Sequence, residues 1–173
     1  YVFLSIGLPE SATKFISEGK DQKSVAKLVL SLQLVLALTV VIILYVLAPR
    51  ISNALNDKEL TQYIYLLCLI IPIRSVLHVF RSIFNGLELF KISSLLSLLN
   101  SLIKLIFSIS LMLMGYKIIG VLWGYVLAAL IPMFLAIIIM YKIGLNAGNS
   151  ISYKEFFNFT VPLISLTIFI NLI

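Results

Sequence analysis

The stretch LVLSLQLVLALTVVIILYVLAP, residues 28–49, contains 22 residues in succession without a charged side chain. At about 1.5 Å per residue, a helix of this length spans the roughly 30 Å hydrocarbon core of a bilayer. A second uncharged run, IIGVLWGYVLAALIPMFLAIIIMY at residues 118–141, is 24 residues long. Length and composition therefore predict that both runs are transmembrane helices.

The whole composition agrees with this interpretation. Of the 173 residues, 61% are hydrophobic and 12% are charged, whereas soluble domains carry about 25% charged residues. The net charge of +6 does not indicate a nucleic-acid partner, because the basic residues lie mostly at helix ends and form no continuous basic surface. Cys68 is the single cysteine, which excludes an intrachain disulfide and a cysteine-based metal site. We expect an all-α integral membrane protein.

Polar connections divide the chain into six hydrophobic segments, which predicts a polytopic transmembrane helix bundle. The segments are residues 1–16, 25–48, 60–84, 92–114, 118–141 and 156–173. The sequence begins at Tyr1 and ends inside the sixth segment, so we expect a fragment of a longer protein.

The lysines and arginines predict the orientation, because positively charged loops stay on the cytoplasmic side. Eight of the thirteen lie in alternate connections, at residues 14–27, 81–91 and 142–154, and three lie in the opposite connections. The remaining two, Arg74 and Lys104, lie inside predicted helices. The third segment, residues 60–84, therefore ends at the cytoplasmic face of a multi-pass protein of the cell membrane.

Three basic residues lie close together in this segment: Arg74, His78 and Arg81. Their spacing places them on one helix face. Exposing a face with these charges to lipid would have a large free-energy cost. We therefore expect Arg74 to face a water-filled cavity or an internal partner. Arg81 lies close enough to the helix end to extend to the interface instead. His78 is either a hydrogen-bonded packing residue or a proton-coupling group.

The next helix carries Lys104 near its midpoint, with Asn100 and Ser97 on the same face. Lys104 lies too deep to reach the interface easily. The acid at comparable depth is Glu10, and we expect it to pair with Lys14, four residues on. Arg74 and Lys104 thus predict a basic cavity with few acids, suited to a phosphate or pyrophosphate. The hydroxyl residues of this helix serve either helix packing or the lining of the cavity.

Enzyme chemistry finds little support. Catalysis in membranes needs paired acids, a metal cluster or a nucleophile with its base, and the sequence has one histidine, one cysteine and no catalytic motif. We expect no catalytic residues, no metal and no cofactor.

Three stretches together resemble one protein family. IGLPESATKFISEGKDQKS (6–24), IPIRSVLHVFRSIFNGLELFK (71–91) and LMLMGYKIIGVLWGYVLAALI (111–131) are similar to the second helix and first inner loop, the fourth helix, and the fifth-to-sixth helix connection of polysaccharide flippases. These flippases belong to the multidrug/oligosaccharidyl-lipid/polysaccharide exporter superfamily. The resemblance covers nearly the whole sequence.

The resemblance implies a transporter of twelve to fourteen helices in two lobes that expose a central cavity alternately to each side. Residues 1–141 then form part of the first lobe, from the end of helix 2 to helix 6. Residues 142–155 are the cytoplasmic linker between the lobes, and residues 156–173 begin the second lobe.

The implied function is the translocation of a polyprenyl-pyrophosphate-linked oligosaccharide across the cytoplasmic membrane. Arg74 and Lys104 would attract the pyrophosphate, and membrane lipids would surround the protein. A polysaccharide polymerase or glycosyltransferases remain open as further partners. Glu10 departs from the expected pattern and could indicate cation coupling.

Three other functions remain open. A cation-coupled multidrug exporter of the same superfamily should need acids in the membrane, where the sequence offers Glu10. A membrane scaffold of a polysaccharide assembly system would pair its basic residues internally. A polytopic glycosyltransferase would need clustered acids at a surface loop, and the loop acids are scattered.

Overall fold

The computed structural model describes residues 7–146 and 153–172, and these residues form helices joined by short connections. The helices are α1 (Leu8–Ser17), α2 (Gln22–Ala54), α3 (Leu60–Gly86), α4 (Phe90–Leu111), a short π-helical segment (Met112–Tyr116), α5 (Lys117–Ile143) and α6 (Tyr153–Leu172). The part of the chain that the structure describes contains no β-strand. The predicted all-α class is confirmed.

Three helical segments are long and apolar enough to cross a membrane: Gln22–Ala54, Leu60–Gly86 and Phe90–Ile143. The third segment is not one straight helix, because Gly115 adopts a φ of 92° at the end of the π-helical segment. This conformation suits glycine, which lacks a Cβ. α4 and α5 therefore fold back on each other as a helical hairpin, at the turn that the sequence predicts near residues 115–117.

Close approach of backbones holds this hairpin together. The Ser108 hydroxyl of α4 donates a hydrogen bond to the Val121 carbonyl of α5, at 3.3 Å. A Cβ added to Gly124 would lie 2.7 Å from the Ser108 nitrogen. Small residues at such contacts let membrane helices pack through their backbones, so Gly124 sets the separation of α4 and α5.

α2 is longer than the sequence predicts. The predicted end at residue 48 is wrong, because the helix runs through Pro49 to Ala54. A proline removes one backbone hydrogen bond and crowds the preceding turn. The residues after Pro49 still have their backbone N–H groups, so they can continue the hydrogen bonding of the helix. The Leu55 amide still bonds to the Ile51 carbonyl at 3.0 Å. The chain leaves the helix only at Asn56, where φ is 53°.

α3 packs against α1, α2, α4 and α5 and is thus the central helix of the bundle. α1 lies beside its last turns and runs in the same direction. The Thr13 hydroxyl donates to the Ser82 carbonyl at 2.9 Å, and a Cβ on Gly86 would lie 2.8 Å from Ile16 Cβ. The apolar core lies at this crossing, with Phe15, Ile83 and Phe84 almost fully buried.

α6 packs against α1. The Phe15 ring lies 5.6 Å from the ring centroids of both Phe156 and Phe159. The Ser11 and Thr160 hydroxyls share a hydrogen bond of 2.9 Å. At the same interface, Lys20 Nζ lies 3.0 Å from a carboxylate oxygen of Glu155. Aromatic packing, a buried hydroxyl pair and an ion pair together join the two helices.

Two other predicted boundaries change. The first hydrophobic segment is helical from Leu8 onward, and residues 1–6 lie outside the described residues. The linker predicted at 142–155 is partly helical, since α5 ends at Ile143 and α6 begins at Tyr153. Residues 147–152 lie outside the described residues, and the assignment to two lobes stays a prediction.

Replacing Gly124 with alanine should destabilise the hairpin, because the new methyl group meets the Ser108 backbone. Forcing atoms into a packed contact costs about 1–3 kcal/mol. The free energy of unfolding in detergent micelles measures the effect. Ser110→Ala, on the exposed face of the same hairpin, is the control and should leave stability unchanged. Equal stability of both variants would contradict the close contact.

The contact between α1 and α6 predicts a specific cross-link. With Cys68 replaced by alanine, Ser11→Cys and Thr160→Cys should form a disulfide on mild oxidation, because the two native hydroxyls are 2.9 Å apart and disulfides need such proximity. Protease cleavage between the helices followed by gel electrophoresis detects it. The pair Ser24→Cys and Thr160→Cys should stay reduced. Failure of the first pair to cross-link would show that α6 does not dock on α1.

Candidate functional site

The three basic residues of α3 line one small cavity. Arg74, His78 and Arg81 surround it with Leu77 of the same helix and Asn100 of α4. Its volume is about 20 Å³, which is room for about one water molecule. The structure thus brings together four of the residues that the sequence singles out, at the contact between α3 and α4.

The environment of His78 includes one acid. Its Nδ1 is buried and forms no hydrogen bond with any residue that the structure describes. Glu10 lies close enough for an electrostatic interaction with His78, because α1 runs beside α3 and brings Glu10 to the level of His78. Glu10 itself is exposed and accepts a hydrogen bond from the Gly7 amide at 2.8 Å.

The expected pairing of Glu10 with Lys14 is wrong. Lys14 Nζ instead lies 3.7 Å from a carboxylate oxygen of Glu18 and 3.7 Å from the centroid of the Phe159 ring. Both partners lie toward the C-terminal end of α1, and the aromatic face offers a favourable cation–π contact. Lys14 therefore turns away from Glu10 and toward α6.

A polar cleft continues from the small cavity toward the ends of α3 and α4 that face the cytoplasm in the predicted orientation. It has a volume of about 590 Å³ and is lined by Arg81, Asn85, Ser93, Ser94, Ser97, Leu98 and Ser101. Arg81 belongs to both the cavity and the cleft. Ser97 and Asn100 of α4 are therefore turned toward α3.

On the other side of Arg74 lies a cavity of different character. Its volume is about 350 Å³, and its walls are Val40, Leu44, Leu67, Ile70, Ile71, Arg74 and Tyr125. Arg74 and Tyr125 are its polar members, while the other five side chains are aliphatic. Arg74 thus lies between an apolar cavity and the small cationic one.

Lys104 does not line either cavity of Arg74, contrary to the expectation of one shared cavity. Its Nζ lies 5.3 Å from the centroid of the Tyr125 ring, and Tyr125 in turn lines the apolar cavity beside Arg74. Sequence reasoning missed Tyr125. The position of Tyr125 in the middle of an apolar helix could have indicated it, since the hydroxyl group of such a tyrosine needs a polar partner.

No three residues among His, Cys, Asp and Glu lie together as a metal-binding group in residues 7–146 and 153–172. What the described part of the chain does hold is a cationic centre within helices that can span a membrane, with an apolar cavity on one side and a hydroxyl-lined cleft on the other. This arrangement defines a helical membrane protein with cationic groups placed between its helices.

The family described as "Polysaccharide biosynthesis protein" matches residues 1–173, the whole of this sequence. The chain belongs to that family, which confirms the resemblance of its three stretches. Members are generally transporters rather than enzymes. No curated protein and no solved structure is significantly similar to the chain.

The contact of Lys104 with Tyr125 can be measured as a coupling energy. Lys104→Met and Tyr125→Leu, singly and combined, should give a coupling of about 0.5–2 kcal/mol in unfolding free energy, as expected for a cation–π contact. Tyr125→Phe keeps the ring and should keep the coupling. A coupling energy indistinguishable from zero would show that the contact between the Lys104 ammonium group and the Tyr125 ring does not contribute to stability.

Proposed function

We propose that the protein is a flippase that moves polyprenyl-pyrophosphate-linked oligosaccharide across the cytoplasmic membrane by alternating access. The observation that carries this proposal is the cavity formed by Arg74, His78, Arg81 and Asn100 between two apolar helices. Ionisable groups at such depth are costly and commonly mark a substrate pathway. Membership of a polysaccharide biosynthesis family supports a polysaccharide precursor as the substrate.

The side chains around the cavity favour an anionic substrate. Arg74 and Arg81 carry guanidinium groups, which bind phosphate oxygens through two parallel hydrogen bonds, and Asn100 adds neutral donors and acceptors. No carboxylate is among the residues that line the small cavity or the polar cleft. A pyrophosphate group fits this chemistry better than a cationic drug does.

Lys104 has a supporting role in this proposal. Its ammonium group lies over Tyr125 and contributes positive charge beside the apolar cavity of Arg74. A lysine acts as a point charge rather than as a fork. It raises the local attraction for an anion without fixing the geometry of the anion.

The transport step needs the small cavity to widen. A volume of about 20 Å³ holds about one water molecule and cannot hold a pyrophosphate, so binding requires α3 and α4 to separate around Arg81. Residues 1–141 then act as part of the first lobe, and residues from 156 on act as part of the second. In this proposal the contact between α1 and α6 joins the two lobes.

A cation-coupled multidrug exporter is the second candidate. The electrostatic interaction of Glu10 with His78 favours it, because carboxylate and imidazole groups within a membrane commonly serve as proton relays. The same pair also fits a flippase that uses a proton gradient. Substitution of Glu10 by glutamine, assayed with a lipid-linked sugar and with a cationic dye, separates the two functions.

Flux measurements test the flippase directly. The full-length protein is reconstituted in liposomes that contain a fluorescent polyprenyl-pyrophosphate oligosaccharide, and an impermeant quencher reports which sugars are accessible. Arg74→Gln and Arg81→Gln should each lower flux about tenfold or more, because each loses a charge-assisted hydrogen bond of about 1.5–3 kcal/mol. Lys104→Gln should lower it less.

The matched control is Lys117→Gln, which removes a positive charge from an exposed residue at the turn between α4 and α5. It should transport as the wild type does. Wild-type protein that moves no lipid-linked sugar but extrudes a cationic dye would favour the drug exporter. Loss of neither activity in the arginine variants would leave the cavity without a role in transport.

A further inference from the structure

We propose that the polar cleft between α3 and α4 is the subsite for the sugar next to the pyrophosphate. This inference rests on the proposed flippase function and adds where, and by which groups, the sugar is held. The groups are the Ser93 and Ser97 hydroxyls of α4 and the Asn85 amide of α3, with Arg81 at the inner end.

The size of the cleft suits such a ligand. Its volume of about 590 Å³ lies within the roughly 300–1,000 Å³ that small-molecule sites occupy. It joins the small cationic cavity through Arg81, which lines both. A sugar in the cleft therefore lies directly beside a phosphate held by the Arg81 guanidinium group.

Ser93 is the most buried polar residue that lines the cleft. Its side chain is 4% exposed and lines the cleft, yet its hydroxyl makes no hydrogen bond with a described residue. Three other helix hydroxyls in the chain bond to their own backbone: Ser31 to the Leu28 carbonyl at 2.8 Å, Thr39 to the Val35 carbonyl at 2.8 Å and Ser101 to the Ser97 carbonyl at 3.1 Å.

The Ser93 hydroxyl can bond to a ligand hydroxyl in the cleft, because it can both donate and accept. Ser97, one turn further along α4, offers a second such group to the same cleft. A site built from hydroxyl and amide groups discriminates strongly against ligands that lack matching hydroxyls.

The order of the three sites along α3 matches the order of groups in the substrate. The apolar cavity adjoins α3 residues 67–74, the cationic cavity adjoins residues 74–81, and the polar cleft adjoins residues 81–85. Arg74 and Arg81 are separated by about 10 Å along the helix axis. A lipid–pyrophosphate–sugar ligand laid along α3 therefore points its sugar toward the predicted cytoplasmic end and its lipid chain toward the middle of the membrane.

The test compares two ligands on the full-length protein in lipid nanodiscs. One ligand is farnesyl pyrophosphate, and the other is farnesyl pyrophosphate with one hexose attached. The wild type should bind the hexose-bearing ligand more tightly. The double variant Ser93→Ala and Ser97→Ala should weaken binding of that ligand about thirtyfold, the effect of losing two hydrogen bonds worth roughly 1 kcal/mol each. Its dissociation constant for farnesyl pyrophosphate should not change.

Two variants act as references. Ser110→Ala, which removes a hydroxyl of α4 outside the cleft, should bind both ligands as the wild type does. Arg81→Gln should weaken both ligands, because Arg81 lines both the cavity and the cleft. Thermal stability of each variant is measured in parallel, so that a folding defect is distinguished from a binding defect.

The outcomes separate this inference from the proposal beneath it. If the serine variant weakens both ligands equally, or neither, the sugar subsite is wrong while the pyrophosphate site stands. If the wild type binds the two ligands with equal affinity, the cleft does not hold the sugar. If the wild type binds neither ligand, the flippase proposal fails and the subsite fails with it.

Discussion

The cost of placing a guanidinium group inside a membrane governs this structure. Arg74 lies in the middle of α3, a helix long and apolar enough to cross a bilayer, and a charge there is tolerated only within protein or beside water. α3 accordingly packs against four other helices. Arg74 is half-buried among them, between the apolar cavity and the small cationic cavity. The charge on α3 thus requires the helix to be surrounded by other helices, which is the central position that it has.

Enclosure of α3 depends on glycines at the contacts between helices. Gly86 lets α1 approach the end of α3 within van der Waals contact of Ile16 and Thr13. Gly124 does the same for α4 and α5 at Ser108. Lipid supplies no hydrophobic drive between membrane helices, so close backbone packing of this kind has to hold them together. These glycines fix the neighbours of α3 at the distances that leave narrow cavities around its charges.

Much of the fold could be predicted from the sequence because membrane helices must satisfy their backbone hydrogen bonds internally. Uncharged runs of 22 and 24 residues thus had to be helices, and the turn at Gly115 followed from the polar break between the hydrophobic segments 92–114 and 118–141. The extension of α2 through Pro49 could not be predicted, since local signals favour an end there and packing decides otherwise.

The candidate site was predictable in part for a similar reason. Helical spacing within α3 alone placed Arg74, His78 and Arg81 on one face. The relation between Arg74 and Lys104 depends on how α3, α4 and α5 are rotated about their axes, which packing sets and periodicity does not. Tyr125 of α5 therefore came to accompany Lys104 without any signal in the spacing of the basic residues.

The packing of the helices also indicates where the site can open. α4 packs extensively on α5, and α5 packs extensively on α3, whereas α4 touches α3 over a smaller contact that includes the polar side chains. Regions with few apolar contacts separate at lower free energy than packed cores. The contact between α3 and α4 is therefore less costly to part than the contacts of α5 with α3 and with α4. Arg81 lies at this contact, where it lines both the small cavity and the polar cleft.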